Sequence, residues 1–307
     1  MRHNIISLSG GKDSTALLLL AIERETPNIS TVFADTGNEH PLTYAYVQYL
    51  IDKFGDSVPF QWVKADFTHQ IAKKREYVLT KWAEKGVSQK AIKRAADALI
   101  PTGNPFLDLC IWKGRFPSTK ARFCSEELKR NVIIEQVQDP LLTNGDEVVS
   151  WQGVRADESP NRALLPEWEE VGGGMFNYRP ILKWTAEQVF AMHHKHGIEP
   201  NPLYKMGMAR VGCMPCIHSR KDELLEISKR FPDQIERIAE WEQTVKRSSK
   251  RFAATFFSSP GMSNEEAGKN TIKTFVEWAK TSRGGKQYDL TRMEEPALCT
   301  SIYGLCE

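Results

Sequence analysis

No apolar run in this sequence is long enough to cross a bilayer. The longest, Ala16 to Ile22, holds seven residues, against the roughly 20 that a membrane-spanning helix needs. No basic segment followed by a long apolar stretch opens the chain, so the expected compartment is a reducing cytoplasm. An excess of one charge is also missing. The 41 Lys and Arg stand against 39 Asp and Glu, a net +2, so any contact with nucleic acid has to rest on local patches. Internal repeats and low-complexity tracts are absent, which excludes repeat architectures. Two widespread phosphate-loop spacings are missing as well: the Walker A GxxxxGK and the dinucleotide GxGxxG. What is there is a chain of 307 residues, 41% hydrophobic and 26% charged. That suits a soluble globular protein with one large α/β domain, or one domain and an appendage.

The most informative string is Leu8-Ser9-Gly10-Gly11-Lys12-Asp13-Ser14-Thr15. Before it, Asn4 to Leu8 has the apolar content of a buried strand; after it, Ala16 to Ile22 has that of a buried helix. A strand, a Gly-Gly turn and a helix N-terminus together bind phosphate. The glycines let backbone N–H groups approach an anion, and the helix's unpaired N–H groups and dipole favour its charge. Lys12 adds a cation, and Ser9 and Ser14 add hydroxyl donors.

Further along, Ile29–Ala34 reads as a second strand running into Asp35-Thr36-Gly37-Asn38-Glu39, and Phe60–Val63 as a third. Leu42–Phe54 has helical spacing between them. This alternation predicts a doubly wound, mostly parallel sheet, with polar residues past the strand ends where such sheets place ligands. Residues 69–101 form a basic helical insertion that reads as a solvated face. Glu147–Gln152 is a later strand. After Trp184 helices are expected at Ala186–His194, Asp222–Lys229, Gln234–Lys246 and Thr271–Thr281, with a loop from Arg251 to Gly268. The domain reading is a nucleotide-binding α/β domain over 1–220 and a helical region over 221–307 that carries a cysteine-containing tail.

Past the later strand comes Gly153-Val154-Arg155-Ala156-Asp157-Glu158-Ser159-Pro160-Asn161-Arg162. Arg155 and Arg162 around a turn suit a bidentate clamp on sulfate or phosphate. Taken alone, they suit surface arginines paired with Asp157 and Glu158 better than a clamp. Six cysteines in a reducing compartment suit metal ligands or redox groups better than disulfides. Cys213-Met-Pro-Cys216 is the spacing that presents two thiolates to one metal ion or cluster. A redox dithiol is the alternative, without thioredoxin-like surroundings. His193, His194 and His196 sit at a helix end and complement its dipole. His218 is a candidate outer donor to a metal group.

The opening loop resembles the SGGxDS PP-loop of ATP pyrophosphatases. With the second-strand motif Phe33–Gly37, the Gly153–Arg162 segment, Arg179–Val189, Asn201-Pro202-Leu203-Tyr204 and Gly212–Cys216, the chain is similar to the phosphoadenosine phosphosulfate (PAPS) reductase-like branch of that superfamily. Arg122–Lys129, around Cys124, resembles a motif of the sulfur-inserting enzyme of DNA phosphorothioation. It also falls near the cysteine pair of cluster-bearing adenylyl-sulfate reductases. The resemblance implies ATP with Mg²⁺ on Ser9, Gly10, Gly11, Lys12, Asp13, Ser14, Asp35, Thr36 and Gly37. It implies substrate anion on Gly153, Arg155, Glu158, Ser159 and Arg162. It further implies a [4Fe–4S] cluster on Cys124, Cys213 and Cys216. Phe123 stands where a tandem cysteine would be, and Cys110, fourteen residues before Cys124, is the candidate fourth ligand. A Zn(Cys)4 site is the chemical alternative. Cys299 and Cys306 in the tail are candidates for the sulfur-carrying thiol, or for completing the cluster.

Two enzyme readings follow from the resemblance. In one, Lys12 and backbone N–H groups stabilise pyrophosphate leaving ATP, with Asp13 a candidate metal ligand. Sulfur from a donor such as a cysteine desulfurase then displaces AMP from the acceptor, nucleic acid being a candidate. In the other, the chain is a thioredoxin-dependent reductase of adenylyl sulfate or PAPS. The intact loop and the absence of the reductases' C-terminal Glu-Cys-Gly motif favour the first. A non-catalytic nucleotide- or nucleic-acid-binding subunit is the third reading.

Overall fold

Six strands form one sheet in the order β3-β2-β1-β4-β6-β5 in the structure, a computed structural model that describes residues 1–257, 263–282 and 300–305. The strands are β1 (Arg2–Leu8), β2 (Ile29–Asp35), β3 (Phe60–Lys64), β4 (Glu147–Trp151), β5 (Trp168–Gly172) and β6 (Met175–Tyr178). All neighbours pair in parallel except β5 with β6. The chain runs outward from β1 to β3 and then returns across β1 to β4. The strand order therefore reverses between β1 and β4, where open α/β sheets leave a crevice at their carboxyl ends. The expected doubly wound, mostly parallel sheet is the observed one.

The helix α1 (Lys12–Glu23) follows β1 directly. Its Leu17 to Leu20 are all buried, because α1 lies between the sheet and the helix Ala186–Lys195. Each such leucine contributes about 1.5–3 kcal/mol by leaving water. With α2 (Pro41–Phe54) these helices cover one face of the sheet. The helical stretch 123–143 covers part of the other, against Ile5, Val32 and Val148. That stretch contains two π-helical turns, Glu126–Arg130 and Ile134–Gln138.

The basic run after His69 becomes two helices, α3 (Thr68–Lys81) and α4 (Gln89–Ala98), followed by α5 (Pro105–Lys113). They share one core with the helices Lys221–Arg230, Pro232–Ser248 and Ile272–Ala279. Inside that core the Glu242 carboxylate accepts the N–H groups of Phe256 at 2.8 Å and of Ile272, the first residue of its helix, at 3.0 Å. The hairpin of β5 and β6 was not expected. Its turn is Gly172-Gly173-Gly174, all at positive φ, a backbone that glycine adopts without strain. Part of the expected 251–268 loop is the short helix Asn264–Lys269. Cys299 and Cys306 lie outside the described residues.

Candidate functional site

The Ser9–Ser14 loop sits at the carboxyl end of β1, on the crevice. Gly10 has φ +71°, and a side chain on Gly11 would come within 3.3 Å of the hydroxyls of Ser9 and Tyr204. Ser14 Oγ accepts from the Ser9 N–H at 3.1 Å and donates to the Gly11 carbonyl at 3.0 Å, closing the loop on itself. Gly153, just past β4, approaches so closely that a Cβ there would lie 3.3 Å from the backbone of Asp13 and Ser14. Around the loop is a cavity of about 180 Å³, whose lining includes Ser9, Gly11, Lys12, Ser14, Arg162 and Arg210.

The charges beneath this cradle are paired. Lys12 Nζ donates to Asp13 at 2.7 Å, and Arg155 Nε donates to the other Asp13 oxygen at 2.7 Å. Arg155 also reaches Asp157 at 2.6 Å. Lys12 and Arg155 are both buried, each 4% exposed, and burial pulls the Lys12 pKa down against the opposing pull of Asp13. Arg155 thus faces Asp13 and Asp157, while Arg162 lines the cavity and pairs with Glu158. Ser159 caps the short helix that carries Arg162. The arginines that sequence grouped as one clamp therefore occupy different levels, one beneath the loop and one at its mouth. Asp13 and Glu158 are the carboxylates in the lining of this cavity, and both oxygens of Asp13 are already paired with Lys12 and Arg155.

A second cavity of about 540 Å³ shares Ser7 and Ser9 with the first. It exists because Ser7, Ser150 and Asn177 are small or polar on the sheet face where Ile5, Val148 and Met175 fill the space further down. Its other walls include Phe33, Ala34 and Ile133, and one end is formed by Glu39, Lys129 and Gly212. Asp35, Thr36 and Gly37 shape this end from behind. The Asp35 carboxylate accepts from the Gly37 N–H at 2.8 Å and the Tyr44 hydroxyl at 2.7 Å. Thr36 is buried and donates to Glu39.

At that end the cysteines gather. Cys213 Sγ is 3.4 Å from Thr36 Oγ1 and 3.7 Å from Glu39 Oε1. Burial pushes its thiol pKa well up, with Glu39 adding to the effect and Lys129 opposing it. Burial also raises Cys124, which feels Cys216, and Cys110, which feels Cys124. Lys129, on the first π-helical turn, is pulled down by burial and more than restored by Cys213, Glu39, Cys216 and Cys124. The 213–216 loop is bound to the loop after β2. Met214 N–H donates to the Asn38 carbonyl at 2.8 Å, and Asn38 Nδ2 donates to the Pro215 carbonyl at 3.1 Å. Arg237 ties Asn38 Oδ1 and the Met214 carbonyl together, both at 2.8 Å.

Among the described residues, no three His, Cys, Asp or Glu side chains converge as ligands of one ion. This holds for a zinc ion, whose thiolate bonds are about 2.3 Å, and for a four-iron cluster alike. Cys124, Cys213 and Cys216 share Lys129 as a neighbour.

Sequence reasoning placed Glu39 only among the polar residues past the second strand, and gave no site role to Lys129, His193, Tyr204 or Arg210. His193, placed at a helix end, is in fact buried with Nε2 2.9 Å from the Lys12 carbonyl. The Lys12 N–H donates to the Tyr204 hydroxyl at 2.9 Å. The Asn201-Pro-Leu-Tyr204 string was visible, but no local signal ties it to a loop almost two hundred residues earlier.

The chain is similar to several known proteins. An uncharacterized 37.8 kDa protein in the gpa 5' region of Escherichia phage 186 is 50% identical over 99% of this chain and 96% of its own length. The nin region protein ORF290 of Escherichia phage lambda is 30% identical over 61% of this chain and 60% of its own. A phosphoadenosine 5'-phosphosulfate reductase of Buchnera aphidicola is 25% identical over 74% of this chain and 75% of its own. Among solved structures, PAPS reductase from Candida auris covers 69% of this chain and 81% of its own, at 17% identity and a TM-score of 0.40. The model of the phosphoadenosine phosphosulfate reductase domain matches residues 3–219, a span that takes in both cavities and all four described cysteines, and the chain belongs to that family.

Proposed function

We propose that this chain transfers sulfur at the expense of ATP, releasing AMP and pyrophosphate, and that nucleic acid is a candidate acceptor. One observation carries the reading. A cradle with its full set of loop residues adjoins a cavity of nucleoside size, and that cavity ends at Glu39, Lys129 and the thiols. In this reading the β- and γ-phosphates occupy the cradle, adenosine occupies the larger cavity, and the α-phosphorus lies near Ser7 and Ser9. An acceptor oxygen attacks that phosphorus and the bond to the bridging oxygen breaks. Pyrophosphate leaves with the electron pair, stabilised by Lys12, Arg162 and the loop's N–H groups. Mg²⁺ held by the phosphates and Asp13 would add charge neutralisation. The terminal sulfur of a persulfide, supplied by a partner such as a cysteine desulfurase, then displaces AMP from the acceptor, and a second thiol attacks the resulting S–S bond to release the thiolated acceptor and leave a disulfide with the carrier cysteine.

Cys124, Cys213 and Cys216, with Cys110 behind Cys124, are our candidate ligands for a [4Fe–4S] cluster, which would offer an iron site for sulfide only if one of the four thiols did not bind it. Anaerobic purification should then give a brown protein absorbing near 400 nm, a rough figure for thiolate-bound iron–sulfur, with matching iron and sulfide content. Colourless protein would remove the cluster from the proposal. The roles of Cys299 and Cys306, the division at residue 220 and the cytoplasmic setting belong to the same proposal. In its support, Cys110, Cys124, Cys213 and Cys216 are free thiols. Among the described residues no helix is long and apolar enough to cross a membrane.

The test is incubation with α-labelled ATP and candidate acceptors. AMP and pyrophosphate are expected; ADP and phosphate would overturn the reading. Relatives named as reductases favour a second reading, in which thioredoxin-dependent sulfite release from adenylyl sulfate or PAPS replaces ATP cleavage.

A further inference from the structure

The first N–H of α1 does not face the cradle unaccompanied. It donates to Tyr204 Oη at 2.9 Å, and that hydroxyl itself lines the cavity. A phenol carries one donor and can accept at its oxygen. Accepting from Lys12 leaves the phenolic proton to be donated elsewhere, and among the described residues no acceptor takes it. Tyr204 is 2% exposed, so its hydroxyl can find an acceptor only through the cavity it lines, and a buried donor without an acceptor is costly. Its ring is fixed on two sides, by Phe190 at 5.9 Å and Tyr303 at 5.7 Å between centroids. Lys12 Nζ lies 5.9 Å from the Tyr204 ring centroid and 5.3 Å from that of Tyr303. The ammonium, the loop and the hydroxyl thus converge on the same small space.

We propose that Tyr204 is an anion-binding residue of the cradle, its hydroxyl accepting the Lys12 N–H and donating its own proton to a phosphate oxygen. The helix terminus then reaches the phosphate through an oxygen that can rotate its donor, as well as through fixed backbone groups. Burial raises the phenol pKa, so the group stays protonated and remains a donor. Tyr303, by contrast, donates its hydroxyl to the Ala209 carbonyl at 2.8 Å. It therefore offers the cradle only a ring face.

This inference rests on the reading of Ser9–Ser14 as a phosphate cradle, and the experiment separates the two. Inorganic pyrophosphate is titrated calorimetrically into wild type, Tyr204→Phe and Tyr303→Phe. Tyr204→Phe keeps the ring and its packing, and should weaken pyrophosphate about tenfold or more, as expected for a hydrogen bond to a charged group. Tyr303→Phe should leave the affinity within about twofold. Equal affinity in wild type and Tyr204→Phe would overturn the inference and spare the cradle. No binding by wild type would overturn both. A probe that keeps the fold intact is 3-fluorotyrosine incorporated at position 204: its ¹⁹F resonance should move on adding pyrophosphate, and an unmoved resonance at saturation would overturn the inference.

Discussion

The two ends of the site are charged in opposite ways. At the cradle, Lys12, Asp13, Arg155 and Asp157 form one continuous chain of contacts, so these charges are matched within the fold. At the thiol end, Lys129 makes no hydrogen bond among the described residues, yet stands among three thiols and Glu39. Its proton affinity is raised, whereas that of Lys12 is lowered. A matched array is rigid and selects by shape. Under the proposed function, a lysine among thiols and a carboxylate would offset negative charge that develops there when a sulfur loses a proton or takes up sulfide.

The comparison can be broken at several points. The largest effect belongs to Arg155→Ala, which leaves Asp13 and Asp157 without their shared buried cation. A loss of about 3 kcal/mol of stability is expected, measured by urea unfolding. Next is Lys12→Met, which should lower AMP formation by about 10²- to 10³-fold with a melting temperature near wild type. Cys213→Ser at the other end should abolish thiolated product while leaving pyrophosphate release nearly intact. If the two variants lose the same half-reaction, the division of labour is wrong.

A control outside both ends is Glu242, whose pKa is raised by burial to about 7 despite the N–H groups it accepts. Its folded value lies above its unfolded one, so its contribution is complete below about pH 4.5 and is lost as pH rises through about 7. Wild type should therefore lose roughly 3 kcal/mol between pH 4.5 and 8 relative to Glu242→Gln, at about 1.4 kcal/mol per unit. Parallel stability curves for the two proteins would refute this. The smallest change in stability is expected from Arg162→Ala. Its pair with Glu158 is partly exposed, 38% and 26%, and such pairs are worth up to about 1 kcal/mol. Stability should hardly move while pyrophosphate affinity falls in a salt-dependent way.

What could be read in the sequence follows the same divide. The cradle was legible because its residues are contiguous: strand, glycines, lysine and hydroxyls stand in one string. The β1–β2–β3 and β4 strands were legible as apolar runs bounded by turns. The β5–β6 hairpin was passed over because its strands are short and mostly exposed or half-buried, although three glycines in a row are a turn signal. At the thiol end the cysteines were visible, but Glu39 and Lys129 are ordinary residues until β2, the π-helical turn and the 213–216 loop meet. Arg155 and Arg162 looked equivalent because spacing carries no information about depth.

The seam between the loop after β2 and the 213–216 loop has a kinetic consequence. Glu39 pairs with Cys213 as an isolated bridge, and Asn38 and Arg237 fasten the backbone on either side. The wall of the larger cavity and the cysteine loop are therefore parts of one stiff body. Under the proposed function, a substrate seated against that wall meets the thiols at a distance fixed when the chain folded, and the translational entropy of bringing them together has already been surrendered. Reactions arranged this way behave as though one partner were present at an effective concentration far above anything soluble.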